Sequence, residues 1–363
     1  MFDALPPADA PQPVIVVTGK ALPDPATERA YHVETLERGD LVDAPVQRLD
    51  ELLKQLPGLQ LFRRSASDSA HPTSQGVTLR ALGGNASSRA LLVLDGVPQA
   101  DPFGGWVNWP AYDPAGLAEV RVVRGGGSVG YGAGALGGAI DMRSYSGTGL
   151  RASVEGGSRQ SVGGRLFAGA KAGGGIVTLN AQAARSDGFI PVTEATRGDA
   201  DERAPYREGS LRARWVAPLA SGTELQLGDL AFIDERERGV PFTGNRTRGA
   251  DGSVRLVGSG RWQWSAVGYG QWRNLRSSFA SVSDDPATAS RVALQKVPSR
   301  GLGPGFEVRP PFGSTDLRAG ADIRITDGES REQFAFSEGE PTRRRVAGGN
   351  GRAEGVFAGA SIP

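Results

Sequence analysis

The sequence predicts a small α+β domain followed by a long run of antiparallel β-strands, and three observations carry that expectation. Between Leu91 and Met142, the segments LLVLDGVP, AEVRVVRGGGSVGYG and AGALGGAIDM follow one another, so two apolar strands each end in a turn and a Gly-dense stretch leads into a third strand. Leu49, Leu52, Leu53 and Leu56 fall at helical spacing and Pro57-Gly58 stops them, which predicts a short amphipathic helix packed on that sheet by its leucine stripe. After about Tyr145 the pattern changes to alternation. Leu211, Ala213, Trp215, Ala217 and Leu219 interleave with Ser210, Arg212 and Arg214, and Leu317, Ala319, Ala321, Ile323 and Ile325 interleave with Asp316, Arg318, Asp322 and Arg324. Such alternation fits one solvated face of a soluble sandwich or the lipid face of a membrane barrel, and by itself it does not choose.

Composition narrows the class. Glycine makes up 53 of 363 residues, about double the usual share, while 24 prolines keep the pair below the level of a low-complexity chain. The formal net charge is +1 and the basic residues are dispersed, so there is no electrostatic reason to expect nucleic acid. Without cysteine there is neither a disulfide framework nor a thiolate metal site, and two histidines leave little for an imidazole site. No window approaches the ~18 apolar residues of a membrane-spanning helix. Gly132 to Gly137 spells GxGxxG after the strand VRVVRG, but the following GGAIDMRSYSG reads as a strand where a dinucleotide fingerprint needs a helix. No serine sits in a strand-to-helix GxSxG elbow. Neither an enzyme nor a resident metal or cofactor is expected. The glycines have another use, permitting positive φ and close backbone approach at crowded turns.

The three segments that open this reading resemble, motif for motif, the plug of TonB-dependent outer-membrane receptors, whose pattern runs roughly LVLIDGVP, IERIEVLRGP, YGSGALGGVINI. Upstream, DELLKQLPGLQLF (Asp50 to Phe62) is similar to the family's helix end, and GVTLRALGG (Gly76 to Gly84) to its "G..IRG", with Ala81 where the family usually has Gly. The order is preserved. Further upstream PVIVVTGK resembles the TonB box, which assigns Val14, Ile15, Val16, Val17 and Thr18 to capture by TonB and its inner-membrane energising complex. A plug needs a barrel around it, so the resemblance implies an α+β plug followed by part of an antiparallel transmembrane β-barrel. The expected layout is a box segment and linker over 1–20, a plug over 21–145 and barrel strands over 146–363. About ten strand-like segments follow Leu150, with polar connections at 196–207, 234–251 and 281–291, whereas plugged transporters have about 22 strands. The chain is therefore read as an N-terminal portion of such a protein. MFDALPPADA has neither a basic n-region nor an apolar h-region, so a signal peptide is expected to be missing or removed.

The resemblance also implies where function lies. In the family, the loop after LVLDGVP and the loop before the "IRG" strand rise outward and floor the substrate cavity. Here the first contributes Phe103, Trp106, Trp109 and Tyr112, which can stack on a planar ligand or pack the plug against the barrel wall. The second contributes Arg63, Arg64, His71 and Gln75, which can meet an anionic ferric chelate or form a solvated face. Arg80 and Arg124 occupy the positions of the family's two plug arginines, which pair with barrel glutamates from the later half of the barrel and lock the plug. The expected function is energy-coupled import of a large scarce solute, an iron-siderophore complex, across a Gram-negative outer membrane, with outer-membrane lipid as surroundings. Cobalamin, haem or a glycan are the alternatives within the class. A signal transducer and a soluble β-rich binding protein are the alternatives outside it.

Overall fold

A computed structural model describes residues 19, 21–24, 31–63, 65–80, 86–125, 131, 132, 134–219, 222–285 and 287–362. In chain order the N-terminal domain contains β1 (His32–Glu37), α1 (Arg38–Val42), α2 (Leu49–Leu53), β2 (Leu59–Leu61), β3 (Val77–Leu79), β4 (Leu91–Leu94), β5 (Val97–Pro98), β6 (Leu117–Arg124) and β7 (Gly138–Ser144). Five of these strands form one sheet in the order β1-β6-β7-β4-β5, in which β4 and β7 run parallel and the other pairs antiparallel. The expected leucine helix is α2, and Leu49, Leu52, Leu53 and Leu56 are all buried in the domain core with Leu92, Val120, Ile140 and Met142 of the sheet. The helix α1 starts with a capping box in which the Glu37 amide donates to Asp40 Oδ2 at 2.9 Å. The GxGxxG stretch runs into the strand β7, as its sequence suggests, and Gly138 is obligatory there. It has φ +127°, and a Cβ on it would lie 2.1 Å from the Val123 carbonyl oxygen.

A second sheet follows directly. It consists of β8 (Gly149–Gly156), β9 (Val162–Ala172), β10 (Gly175–Ser186), β11 (Tyr206–Pro218), β12 (Thr223–Arg236), β13 (Asn245–Ser259), β14 (Gln263–Val282), β15 (Ala289–Arg309), the two-residue β16 (Pro311–Phe312), β17 (Thr315–Ser337) and β18 (Glu340–Ser361). Consecutive long strands pair antiparallel in a simple meander, and β8 and β18 are the edges among the described residues. Ten long strands match the count of strand-like segments. Short turns, such as 173–174 and 260–262, lie at one end of the meander, and the longer connections 187–205, 237–244 and 283–288 lie at the other.

Two of those connections are shorter than composition implies. The span 234–251 belongs mostly to β12 and β13, because Thr247 faces inward and is buried while its charged neighbours Arg246 and Arg248 face outward. Polar residues at the wet end of a strand look like loop when only composition is read. The span 196–207 instead falls, up to residue 205, in a longer connection that begins at 187, and its last two residues open β11.

Alternation sorts the sheet into two faces. Leu211, Val254, Trp272, Leu302 and Ile325 are exposed on the outer face, whereas Arg214, Leu230, Phe232, Arg273, Leu275 and Val297 are buried on the inner one. Leu230 and Phe232 of β12 belong to the same apolar cluster as α2 and the five-stranded sheet, so the N-terminal domain sits inside the curve of the strands and shares its core with them.

Candidate functional site

The seam between the N-terminal domain and the strand wall is made by inward-facing polar side chains of the wall. One of its charged points is Asp95, in the two-residue Asp95-Gly96 turn that joins β4 to β5. Both residues have positive φ, +49° and +88°, which an Asp-Gly pair tolerates. The Asp95 carboxylate accepts the Ser144 amide at 3.0 Å and hydroxyl at 2.7 Å, receives Arg212 of β11 at 2.5 Å, and lies 3.4 Å from Arg214 Nε. Burial pushes its carboxyl up, but the two guanidiniums and Ser144 outweigh burial and hold it well below the usual carboxylate range.

The same polarity recurs around the wall. Asn180 donates to Asp113 at 2.8 Å, Gln182 to the Pro110 carbonyl at 2.8 Å, Gln271 to the Pro98 carbonyl at 2.8 Å and Ser299 to Asp101 at 3.2 Å. Arg48, which meets Glu208 at 2.9 Å, reverses it. The N-terminal strap is held in this manner too: the Gly19 carbonyl accepts from Arg214 at 2.8 Å, the Gly19 amide donates to Glu224 at 3.1 Å, and the Pro23 carbonyl accepts from Arg309. Asp24 bridges Arg121 and Arg143, each at 2.7 Å.

A cavity of about 950 Å³ lies at the end of the wall that carries the longer connections. It is centred on one inward row, Tyr206, Arg236, Asn245, Ser277, Gln295, Glu332 and Arg345, each directly opposite the next across β11 to β18. The row is hydrogen-bonded within itself: Ser277 donates to Asn245 Oδ1 at 2.8 Å, Gln295 donates to Glu332 at 3.0 Å, and Arg345 pairs with Glu332. Arg236 pairs with Asp234 and also donates to the Ala70 carbonyl at 2.8 Å, while Ser277 Oγ lies 3.4 Å from His71 Nε2. The cavity therefore abuts the loop that carries His71. Sequence reading missed this row. Its signal was the polar parity of the strands, opposite to the apolar residues of the outer face, which is assigned to a cavity only when the register is known.

The expected ligand residues divide into two groups. His71 and Gln75 lie together, Gln75 buried with its amide 3.5 Å from the His71 carbonyl, and Arg63 is exposed nearby. Phe103 is 40% exposed and Trp106 packs on Leu275 and Val297, one inward row below the cavity. By contrast Trp109 and Tyr112, 2% and 4% exposed, are core residues of the shared apolar cluster, with the Tyr112 hydroxyl donating to Gln99 Oε1 at 3.0 Å. For these two and Trp106 the geometry is the packing alternative. A loop this rich in aromatics, pressed between sheet and wall, buries them because their apolar area is worth more in the core. Arg64 and the segment Val14 to Thr18 lie outside the described residues.

Arg80 and Arg124 are neighbours: Arg80 Nη1 lies 3.7 Å from where a Cβ on Gly125 would stand. Arg124 pairs with Glu34 of the adjacent β1, and Arg80 is exposed, with no carboxylate partner among the described residues. Apart from Arg48 with Glu208, the charge pairs at the described seam run the other way from the expected lock, wall arginines engaging plug carboxylates.

His71 illustrates how tightly the loop is seated. Its ring stacks on Phe279 at 5.6 Å, and Nδ1 lies 2.8 Å from Thr73 Oγ1. Burial, followed by Arg238, Arg236 and Arg63, lowers its pKa to about 3. A base that resists protonation when folded contributes stability above its unfolded value of about 6.5, and that stability is lost as pH falls from there through about 3. His71 is thus expected to show no NMR titration between about pH 5 and 8. His71→Gln should flatten the acid limb of the loop's hydrogen-exchange stability; an unchanged limb would assign it to other groups.

The family described as TonB-dependent Receptor Plug Domain matches residues 25–139. No curated protein matches the chain by sequence. Among solved structures, the ferric enterobactin receptor PfeA is 15% identical, with a TM-score of 0.64 over 91% of this chain and 55% of its own. The copper transporter OprC is 17% identical, with a TM-score of 0.70 over 95% and 53%. The siderophore receptor PiuA from Acinetobacter baumannii is 13% identical, with a TM-score of 0.64 over 91% and 55%. The chain thus spans about half the length of the structures it matches. Both parts of the architecture, the five-stranded sheet and the meander that curves around it, are common to this fold. Residues 25–139 match the plug domain of TonB-dependent receptors, and the chain joins that domain to antiparallel strands with the fold of the barrel wall in those structures.

Proposed function

We propose that this chain is the plug and adjoining barrel wall of an outer-membrane receptor that imports a large scarce solute at the expense of energy delivered by TonB, with an iron-siderophore complex as cargo. The observation that carries the reading is the cavity of about 950 Å³ bounded by an inward polar row and abutting the plug loop that holds His71. A chelate rich in oxygen acceptors suits the donors Tyr206, Asn245, Ser277, Gln295 and Arg345, with Arg63, His71, Gln75 and Phe103 of the plug as the facing contacts and Arg64 as a further expected one. The outer face, apolar from Leu225 and Leu227 up to Leu211 and Trp272, suits lipid, and further strands of the same barrel would cover the edges of β8 and β18.

In this reading residues 1–20 carry the box and linker, 21–145 the plug and 146–363 the barrel wall. Val14 to Thr18 are captured by TonB through strand addition, for which a β-branched segment is suited. Arg80 and Arg124 stay adjacent on the plug as the pair that receives carboxylates from later strands. Cargo binding loosens the seam, TonB pulls on the strap at Gly19 to Asp24, and the plug rearranges to open a path. No covalent step is involved.

The test is Val16→Pro in the full-length protein. Proline removes a backbone donor from the added strand, so uptake of radiolabelled ferric siderophore should be abolished while binding at the cell surface stays intact. Unchanged uptake would sink the box assignment, and lost surface binding would point to a folding defect.

A further inference from the structure

Cations dominate the outer face of the wall at one level. Residues directly opposite in a sheet share a face, and the register places Arg185, Arg207, Arg246, Arg276, Lys296 and Arg331 in a single transverse row across β10 to β17, with Glu235 as its one carboxylate. The row is outward: Arg207, Arg276 and Arg331 are exposed, while the interleaved Arg236, Thr247, Leu275 and Val297 are buried on the plug side. Glu235 is shared between Arg207 and Arg246, and Arg331 is held by Glu329. Arg185, Arg276 and Lys296 have no carboxylate partner among the described residues.

Height gives the row its meaning. On β14 Arg276 stands twelve residues beyond Trp264, beside the exposed Trp262 at the short-turn end, and the outward residues between are Ala266, Gly268, Gly270, Trp272 and Asn274. At ~3.3 Å per residue and a tilt of ~40°, that span rises ~30 Å, the thickness of a hydrocarbon layer. Because the strands tilt, the row climbs diagonally: Arg185 is ten residues above the start of β10 and Arg331 sixteen above the start of β17. Arg248 and Arg300, lower on β13 and β15, and Asp327 on β17 fill in the same level where the row has climbed past it. Below this level the outward charges are Asp229 and the Arg352–Glu354 pair, so the excess of cations belongs to the boundary and not to the apolar band.

We propose that this surface binds the phosphate groups of phosphorylated lipids in the outer leaflet, with Arg185, Arg276 and Lys296 as its principal contacts. The inference rests on the outer-membrane reading above. A surface that only had to be wet would balance the two signs, whereas a row with six cations to one carboxylate at the edge of an apolar band is complementary to anionic headgroups. Guanidinium forks engage phosphate bidentately, and their stems lie along the apolar surface beneath.

The experiment uses the full-length protein in neutral detergent, with bisphosphorylated lipid A as probe, phosphatidylethanolamine as the lipid control and inorganic phosphate as competitor, bound lipid being counted by native mass spectrometry. The wild-type protein should retain lipid A over phosphatidylethanolamine, and retention should weaken as salt is raised. Combining Arg185→Gln, Arg276→Gln and Lys296→Gln should cut lipid A affinity on the order of tenfold or more, while Arg185→Lys with Arg276→Lys and Lys296→Arg should keep most of it. Equal retention of both lipids, salt-independent binding, or a glutamine variant that holds lipid A as well as wild type would overturn the proposal. Displacement by inorganic phosphate alone would make it a free-anion site and also overturn it. Failure of the outer-membrane reading would appear separately, as a protein that does not fractionate with that membrane.

Discussion

Replacing Asp95 with Ala should cost the plug about 3–5 kcal/mol of its seating in the barrel wall, the penalty for leaving buried guanidiniums without their carboxylate. Arg214 is buried and Arg212 nearly so, and both converge on this one side chain across the seam. Alanine also disfavours the positive φ of the turn, so the backbone and charge effects need separating. Asp95→Asn does that: asparagine tolerates φ +49° and keeps one acceptor, so it should lose about 1–3 kcal/mol and no turn geometry. The Ser144 amide, which donates to Asp95 at 3.0 Å, reports the break directly through hydrogen exchange. Since the carboxyl is held below the usual range, its contribution is complete above about pH 3.9 and is lost only as pH falls through the lower folded value. Protection of Ser144 that already fades well above that range, or that survives Asp95→Ala, would show that the seam is held elsewhere.

This seam bears on how much was legible in the sequence. The plug strands were readable because β4 is an unbroken apolar run closed by a glycine turn, while β6 and β7 keep the buried apolar residues Val120, Val122, Val123 and Ala139, Ile140, Met142 around Arg121 and Asp141. The leucine helix was readable for the same reason, with Pro57-Gly58 marking its end. Barrel strands were readable as alternation, but the partner of each inward residue was not. Asp95 sits in an Asp-Gly turn that predicts a hairpin and says nothing of Arg212, 117 positions away. The cavity row has the same character, since Tyr206 and Arg345 meet one surface only through six successive strand pairings. Local pattern specifies elements; register specifies sites, and register in a meander is set by the whole set of inward and outward faces at once.

The aromatic loop shows the other failure. Phe103, Trp106, Trp109 and Tyr112 read alike in sequence, yet they fall at three depths: exposed, pressed on the wall, and deep in the core. Side-chain type cannot separate these, because an aromatic ring has the same incentive to bury against protein as against a ligand.

Trp109→Ala should therefore act on folding, destabilising the plug by about 3–5 kcal/mol, as expected for emptying an aromatic-sized core site. Trp109 lies in the cluster that joins plug residues to Leu230 and Phe232 of β12, so the hole opens at the junction of plug and wall and the loss should appear as raised exchange in both. Its indole nitrogen is buried with no hydrogen-bond partner among the described residues, so Trp109→Phe gives up volume but also relieves an unsatisfied donor, and should cost clearly less than alanine. Trp106→Ala removes a ring from a smaller cluster with Leu275 and Val297 and should cost less than Trp109→Ala, while disturbing the wall immediately below the cavity. Cargo affinity measured on the same variants completes the comparison. If Trp109→Ala leaves plug stability unchanged but weakens cargo binding, the ring is a ligand contact reached in another conformation and the packing role is wrong; if stability falls and Trp109→Phe restores it, the ring is the fastener between plug and wall.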